Sequence, residues 1–175
     1  MRKTKKLTLS AMIVALGTAI MAIGAFIDVL DLSACAFASI LMTFVFIEIG
    51  APYTYGVWLC TSLATFLFCQ ARPEIALEYL FVFGIYPILK AYIERLPRAL
   101  WLIIKLVYAN LVIWGLIFFV ELVTGLPLFI DKRFWLNAII YVVLNAAFIA
   151  YDIFITVLVR FYFEKLRNRF KSLLK

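Results

Sequence analysis

Residues 7–26, LTLSAMIVALGTAIMAIGAF, run without a single charged side chain. A helix needs about 20 such residues to cross the hydrocarbon of a bilayer. A helix suits that solvent because it bonds every backbone amide within its own segment. Stretches of this kind recur at roughly 8–27, 32–50, 52–70, 75–93, 99–123 and 134–160. Pro52, Pro73 and Pro97 sit at or near the breaks, and Gly125 and Pro127 follow the fifth stretch. Proline at a helix start costs little, because its missing N–H would be unpaired there anyway.

Hydrophobic residues make up 67% of the chain. A soluble domain has about half, so the excess apolar surface must face lipid. The expected fold is all-α: one polytopic membrane domain over residues 1–175, a bundle of six transmembrane helices. Short connections make neighbouring helices antiparallel. No repeat, low-complexity tract or soluble module is visible. The basic start MRKTKK before an apolar run resembles a signal peptide. The apolar core of a signal is only about 7–15 residues long, however, so an uncleaved first helix is the better reading.

Charge sets the orientation, since Lys and Arg collect in cytoplasmic loops. With six spans and the N-terminus inside, the inner side holds Arg2, Lys3, Lys5, Lys6, Lys90, Arg95, Arg98, Lys105, Arg160, Lys165, Arg167, Arg169, Lys171 and Lys175. The outer side holds Arg72, Lys132 and Arg133, so the 17 basic residues divide fourteen to three. Both termini are expected in the cytoplasm of a multi-pass cell-membrane protein. The net charge of +7 then reports topology and attraction to anionic lipid, and nucleic acid is not an expected partner.

Several chemistries drop out. The chain has no histidine, which removes His-based triads and most zinc or iron sites. It has no G-x-x-x-x-G-K-[ST] loop to cradle ATP phosphates. Cys35, Cys60 and Cys69 lie within expected spans without paired spacing, and read as buried inert thiols. No cofactor is expected. Energy-driven work would need a partner chain or an ion gradient.

Two groups of residues carry functional expectations. On the first helix, Ala11, Ala15, Thr18, Ala19, Ala22 and Ala25 share an arc of about 120°. Small side chains let membrane helices approach closely. The face therefore either packs on the chain's own helices or docks another membrane protein. Ala34, Ala36, Ala38 and Ser39 add small residues on the second span.

The second group is polar. Asn137, Tyr141, Asn145 and Asp152 form one stripe on the last span, and Asn110, Trp114 and Glu121 lie together on the fifth. Glu74 and Glu78 share a face of the fourth, with Arg72 before it and Asp131, Lys132, Arg133 and Trp135 in the last outer loop. Polar residues within membranes are costly and mark function by default. Glu78, Trp114, Glu121, Asn137, Tyr141 and Asn145 are the expected lining of an outward-opening substrate pocket. The alternative is hydrogen bonding between helices with aromatics at the interface. Asp152 and Lys105 lie at similar depth and could pair, or Lys105 could snorkel to the cytoplasmic surface.

The segments KKLTLSAMIVALGTAI at 5–20, with its pairs Ala11/Ala15 and Ala15/Ala19, and LEYLFVFGIYPILKAYIERLP at 77–97 resemble the S components of energy-coupling factor transporters. Six spans, the chain length and cytoplasmic termini agree with that resemblance. It implies a membrane subunit that captures a vitamin or trace micronutrient. Ala11, Ala15, Ala19 and Ala22 would meet a coupling transmembrane subunit, and two ATPase subunits would drive the cycle. The substrate would sit near the outer face among helices four to six, under a lid formed by the first outer loop.

Two rivals remain. A structural or scaffolding membrane protein would have the small face without a pocket. An intramembrane hydrolase would need two aspartates in contact. Asp131 and Asp152 are about 30 Å apart on a continuous helix, so an enzyme is not expected.

Overall fold

The computed structural model describes residues 3–27, 30–70, 72–124 and 134–167. Most of these residues are helical, with no strand among them. The helices are α1 (Lys3–Phe26), α2 (Asp31–Glu48), α3 (Ala51–Phe68), α4 (Pro73–Glu78), α5 (Tyr86–Ile93), α6 (Arg98–Thr124) and α7 (Phe134–Phe161). A π-helical turn, Tyr79–Phe83, links α4 towards α5, and a second, Tyr162–Leu166, extends α7.

Among the described residues, five helical segments are long and apolar enough to cross a membrane: Lys3–Phe26, Asp31–Glu48, Pro73–Ile93, Arg98–Phe119 and Trp135–Lys165. They are compatible with a multi-pass membrane protein. The expected span at 52–70 does form a helix, α3, and that helix carries no charge. It is absent from the five because Tyr53, Thr54, Tyr55, Thr61, Ser62 and Thr65 dilute its apolar character. The fourth expected span is not one smooth helix either, because it is interrupted between Glu78 and Tyr86.

The chain divides into two units, Met1–Ala91 with Ile155–Lys175, and Tyr92–Phe154. In the first, α1 packs against α2 and α3, and α4 packs against both of those. Its core includes Met21, Cys35, Met42, Val45, Val57, Ile75 and Tyr79. α2 turns into α3 at Gly50, whose φ of 106° suits a residue without Cβ. α1 and α2 meet so closely that a Cβ on Gly24 would stand 2.5 Å from Ala34 Cβ.

The break in the fourth span is held by α3. A π turn spoils the regular backbone ladder, and Trp58 Nε1 donates to the Leu80 carbonyl oxygen at 3.0 Å. Trp58 can lie this close because residue 84 is glycine: a Cβ there would meet Trp58 Cδ1 at 2.6 Å and the Tyr79 carbonyl oxygen at 2.8 Å. Within the same unit, Tyr162 donates its hydroxyl to Glu48 Oε1 at 2.9 Å and sets its ring edge-on to Phe44. These contacts fasten the end of α7 to the end of α2.

In the second unit, α6 and the part of α7 up to Phe154 are linked by polar contacts between their facing sides. Their other faces are broadly exposed and apolar, with Leu111, Phe118, Ile139, Val142 and Val143 among them.

Candidate functional site

The small-residue arc of α1 is divided: Thr18 is buried and Ala25 packs against the core, while the alanines on its other side turn away from it. Ala11, Ala15 and Ala19 are exposed and Ala22 is half-buried. α1 packs instead through Ser10, Ile13, Gly17, Met21 and Gly24, which share an adjacent face. A Cβ on Gly17 would touch Thr61 Cγ2 at 3.3 Å, and Thr65 Oγ1 of α3 lies 3.9 Å from Met21 Sδ. The seven-residue spacing of Ser10, Gly17 and Gly24 was the sequence signal for this seam, and the more numerous alanines obscured it. Ala34, Ala38 and Ser39 of α2 are buried, while Ala36 is half-buried.

The start of α4 carries a charged cluster. Arg72 Nη2 lies 3.0 Å from Asp31 Oδ2, and its Nε lies 2.9 Å from Glu74 Oε1. One guanidinium thus bridges the first residue of α2 to α4. Glu78, one turn beyond Glu74 on the same face, is treated differently: its Oε2 is enclosed and has no hydrogen-bond partner among the described residues. Glu78 is also the last residue before the π turn. Nearby, Cys35 Sγ donates to the Ile75 carbonyl oxygen at 3.6 Å. Cys35 and Cys69 are buried free thiols as expected, but Cys60 is exposed on the outer face of α3.

Four of the expected pocket residues or their neighbours meet in the second unit. Asn110 Oδ1 of α6 accepts from the Tyr141 hydroxyl and, at 3.4 Å, from Asn145 Nδ2 of α7. The same two amides also donate to their own helices: Asn110 Nδ2 to the Leu106 carbonyl at 2.8 Å, and Asn145 Nδ2 to the Tyr141 carbonyl at 3.0 Å. The Trp114 and Tyr141 rings are tilted at 50° with centroids 6.4 Å apart, and Trp114 is exposed on its other side. Glu121 and Asn137 are half-buried on the same two helices. Glu78 belongs to the first unit. Asp131, Lys132 and Arg133 lie outside the described residues.

This network joins two helices through groups that would be costly to leave bare in lipid. It uses the hydroxyl of Tyr141, the Oδ1 of Asn110 and the amino group of Asn145.

A second polar centre lies further along the same helices. Lys105 Nζ is 2.9 Å and 3.0 Å from the two oxygens of Asp152 and 3.1 Å from Glu94 Oε1. Its side chain is only 9% exposed, and it also lies 5.9 Å from the Trp101 ring centroid. Of the two sequence alternatives the pairing is the one seen: Lys105 is buried, and its ammonium is shared between Asp152 and Glu94, which lies in the segment between α5 and α6. Asp152 is engaged by a cation, as a structural ion pair requires. Among the described residues no group of three or more His, Cys, Asp or Glu could hold a metal ion.

No protein-family model matches the chain, and neither a characterised protein nor a solved structure matches it.

Proposed function

We propose that this chain is the substrate-capture membrane subunit of an energy-coupling factor type transporter for a vitamin or trace micronutrient. It crosses the membrane six times with both termini in the cytoplasm, and it works with a coupling transmembrane subunit and two ATPases. The observation that carries the reading is the division of labour on α1. One small face, Ser10–Gly17–Gly24, is used for internal packing. The other, Ala11–Ala15–Ala19, is exposed on a helix apolar enough to span. Apolar exposure alone does not bring membrane helices together, whereas close backbone approach does. An exposed alanine arc is therefore suited to receive another helix.

α3 supplies the sixth span in this reading. Three of its hydroxyls bond carbonyls of their own helix or its cap: Thr54 to Gly50, Ser62 to Trp58 and Thr65 to Thr61. All three are buried, so their hydroxyls are kept from lipid. The fourteen-to-three division of basic residues supports the orientation. The chain has no phosphate-binding loop of its own, so an ATP-driven cycle would come from partners, and the protein itself is no enzyme.

A scaffolding protein without a ligand is the second reading. It is favoured by the way Asn110, Tyr141 and Asn145 bond one another. Affinity purification of the tagged chain from its native membrane separates the two. Recovery of two ATPases with one further membrane subunit, and of a small molecule in the extract, supports capture; recovery of the chain without any of these refutes it.

A further inference from the structure

We infer that Glu78 is the contact for a cationic hydrogen-bond donor, so that the captured molecule presents a protonated amine or amidine-like group to this carboxylate. This rests on the capture reading above and narrows the class of substrate.

Three observations converge on Glu78. Its Oε2 is enclosed and unpartnered among the described residues, in a protein where other half-buried carboxylates are answered. Asp31 and Glu74 share Arg72, Asp152 and Glu94 share Lys105, and Glu48 takes the Tyr162 hydroxyl. A buried carboxylate oxygen without a donor carries an unrecovered desolvation cost, which a ligand N–H would remove.

Glu78 also stands at the break of a membrane-spanning segment. The π turn begins at the next residue, and its Leu80 carbonyl is diverted to Trp58. Irregular backbone at membrane depth occurs where protein or a cavity accepts it, and π turns recur at functional positions. Thirdly, the charges near Glu78 favour a cation. Asp31 and Glu74 stand near it with Arg72, and no charge of either sign lies on α3. A neutral donor would satisfy the oxygen, but a charged one also balances the field, and such bonds are roughly twice as strong.

The test uses the purified full chain in detergent and three matched probes: benzylammonium, benzyltrimethylammonium and benzyl alcohol. Benzylammonium is expected to raise the melting temperature of the wild type and to lose that effect in Glu78→Gln. Gln fills the same space without the charge, so the variant is expected to fold at least as well. Glu78→Asp keeps the charge but withdraws it by one methylene, and should show a reduced shift. Glu74→Gln, which removes a neighbouring charge but leaves the contact carboxylate, should keep most of the shift. Equal benzylammonium shifts in wild type and Glu78→Gln, or none in either, overturn the inference. An equal effect of the quaternary probe overturns the donor requirement. If the wild type co-purifies with an anionic or neutral small molecule that Glu78→Gln retains, capture stands and this assignment falls.

Discussion

Lys105 and Asp152 form a two-pronged ion pair between α6 and α7, with Nζ 3.0 Å from Oδ1 and 2.9 Å from Oδ2. Their side chains are 9% and 19% exposed, so water screens the pair poorly. Breaking such a pair by removing one partner costs about 3–5 kcal/mol when burial is complete. Lys105→Met is therefore expected to lower stability by an amount near the lower end of that range, because Asp152 keeps some solvent. The double variant Lys105→Met with Asp152→Leu should recover most of the loss. Melting temperatures of the two single variants and the double variant, in one detergent, give the coupling directly. Additive losses would mean that the pair is not coupled.

Asn110 is the hub of the other α6–α7 contact. Asn110→Leu removes the acceptor for both Tyr141 and Asn145. Interhelical bonds of this kind in membranes average only about 0.6 kcal/mol in double-mutant cycles, so a modest coupling is expected. A cycle of Asn110→Leu with Tyr141→Phe should return about 0.5–1.5 kcal/mol. A coupling near zero would detach the network from the stability of the unit and leave it free for ligand contact.

Among the described glycines, Gly24 and Gly84 have the tightest surroundings. Gly24→Leu must displace Ala34, and Gly84→Ala must displace Trp58 or the Tyr79 carbonyl. Overfilled interiors cost about 1–3 kcal/mol. Both variants should melt lower, whereas Gly56→Ala should not, since nothing lies within 4 Å of a Cβ there. Equal melting temperatures for all three would contradict the packing described.

On the alanine face, Ala15→Trp and Ala19→Trp should fold and melt like the wild type, since both positions are exposed. If the face docks a partner, the same variants should lose co-purification with it and lose uptake. Variants that melt lower while recruiting a partner in proportion to their folded fraction would sink the docking role.

The limits of the helices were legible in hydropathy because lipid forces long unbroken apolar runs, and the runs at 99–123 and 134–160 became α6 and α7 almost unchanged. The interruption after Glu78 was not legible. Tyr79 to Phe83 contains neither proline nor glycine, and what stabilises the π turn, Trp58, comes from 22 residues earlier in the chain. Helical angles correctly grouped Asn110 with Trp114 and Tyr141 with Asn145, because each lies on one regular helix. They could not decide between Lys105 pairing and snorkelling, since that depends on where Glu94 falls after α5 ends. The small-residue arc was legible only in part: Ala11, Ala15 and Ala19 are exposed, whereas Thr18 and Ala25 fall on the side that Gly17 and Gly24 bring against the neighbouring helices.

The π turn at Tyr79–Phe83 also has a meaning for comparison between sequences. It holds one residue more than an α-helical path would need, so it behaves like a one-residue insertion frozen into a span. Removing one residue there would restore α-helical spacing over the π turn and swing everything from Gly84 onwards by about 100°. Tyr86 and Ile88, both buried now, would turn away from their present neighbours, and Trp58 would lose the carbonyl it caps. Relatives of this chain should therefore either keep the length of this segment together with Trp58 and Gly84, or lose one residue there and change all three features at once.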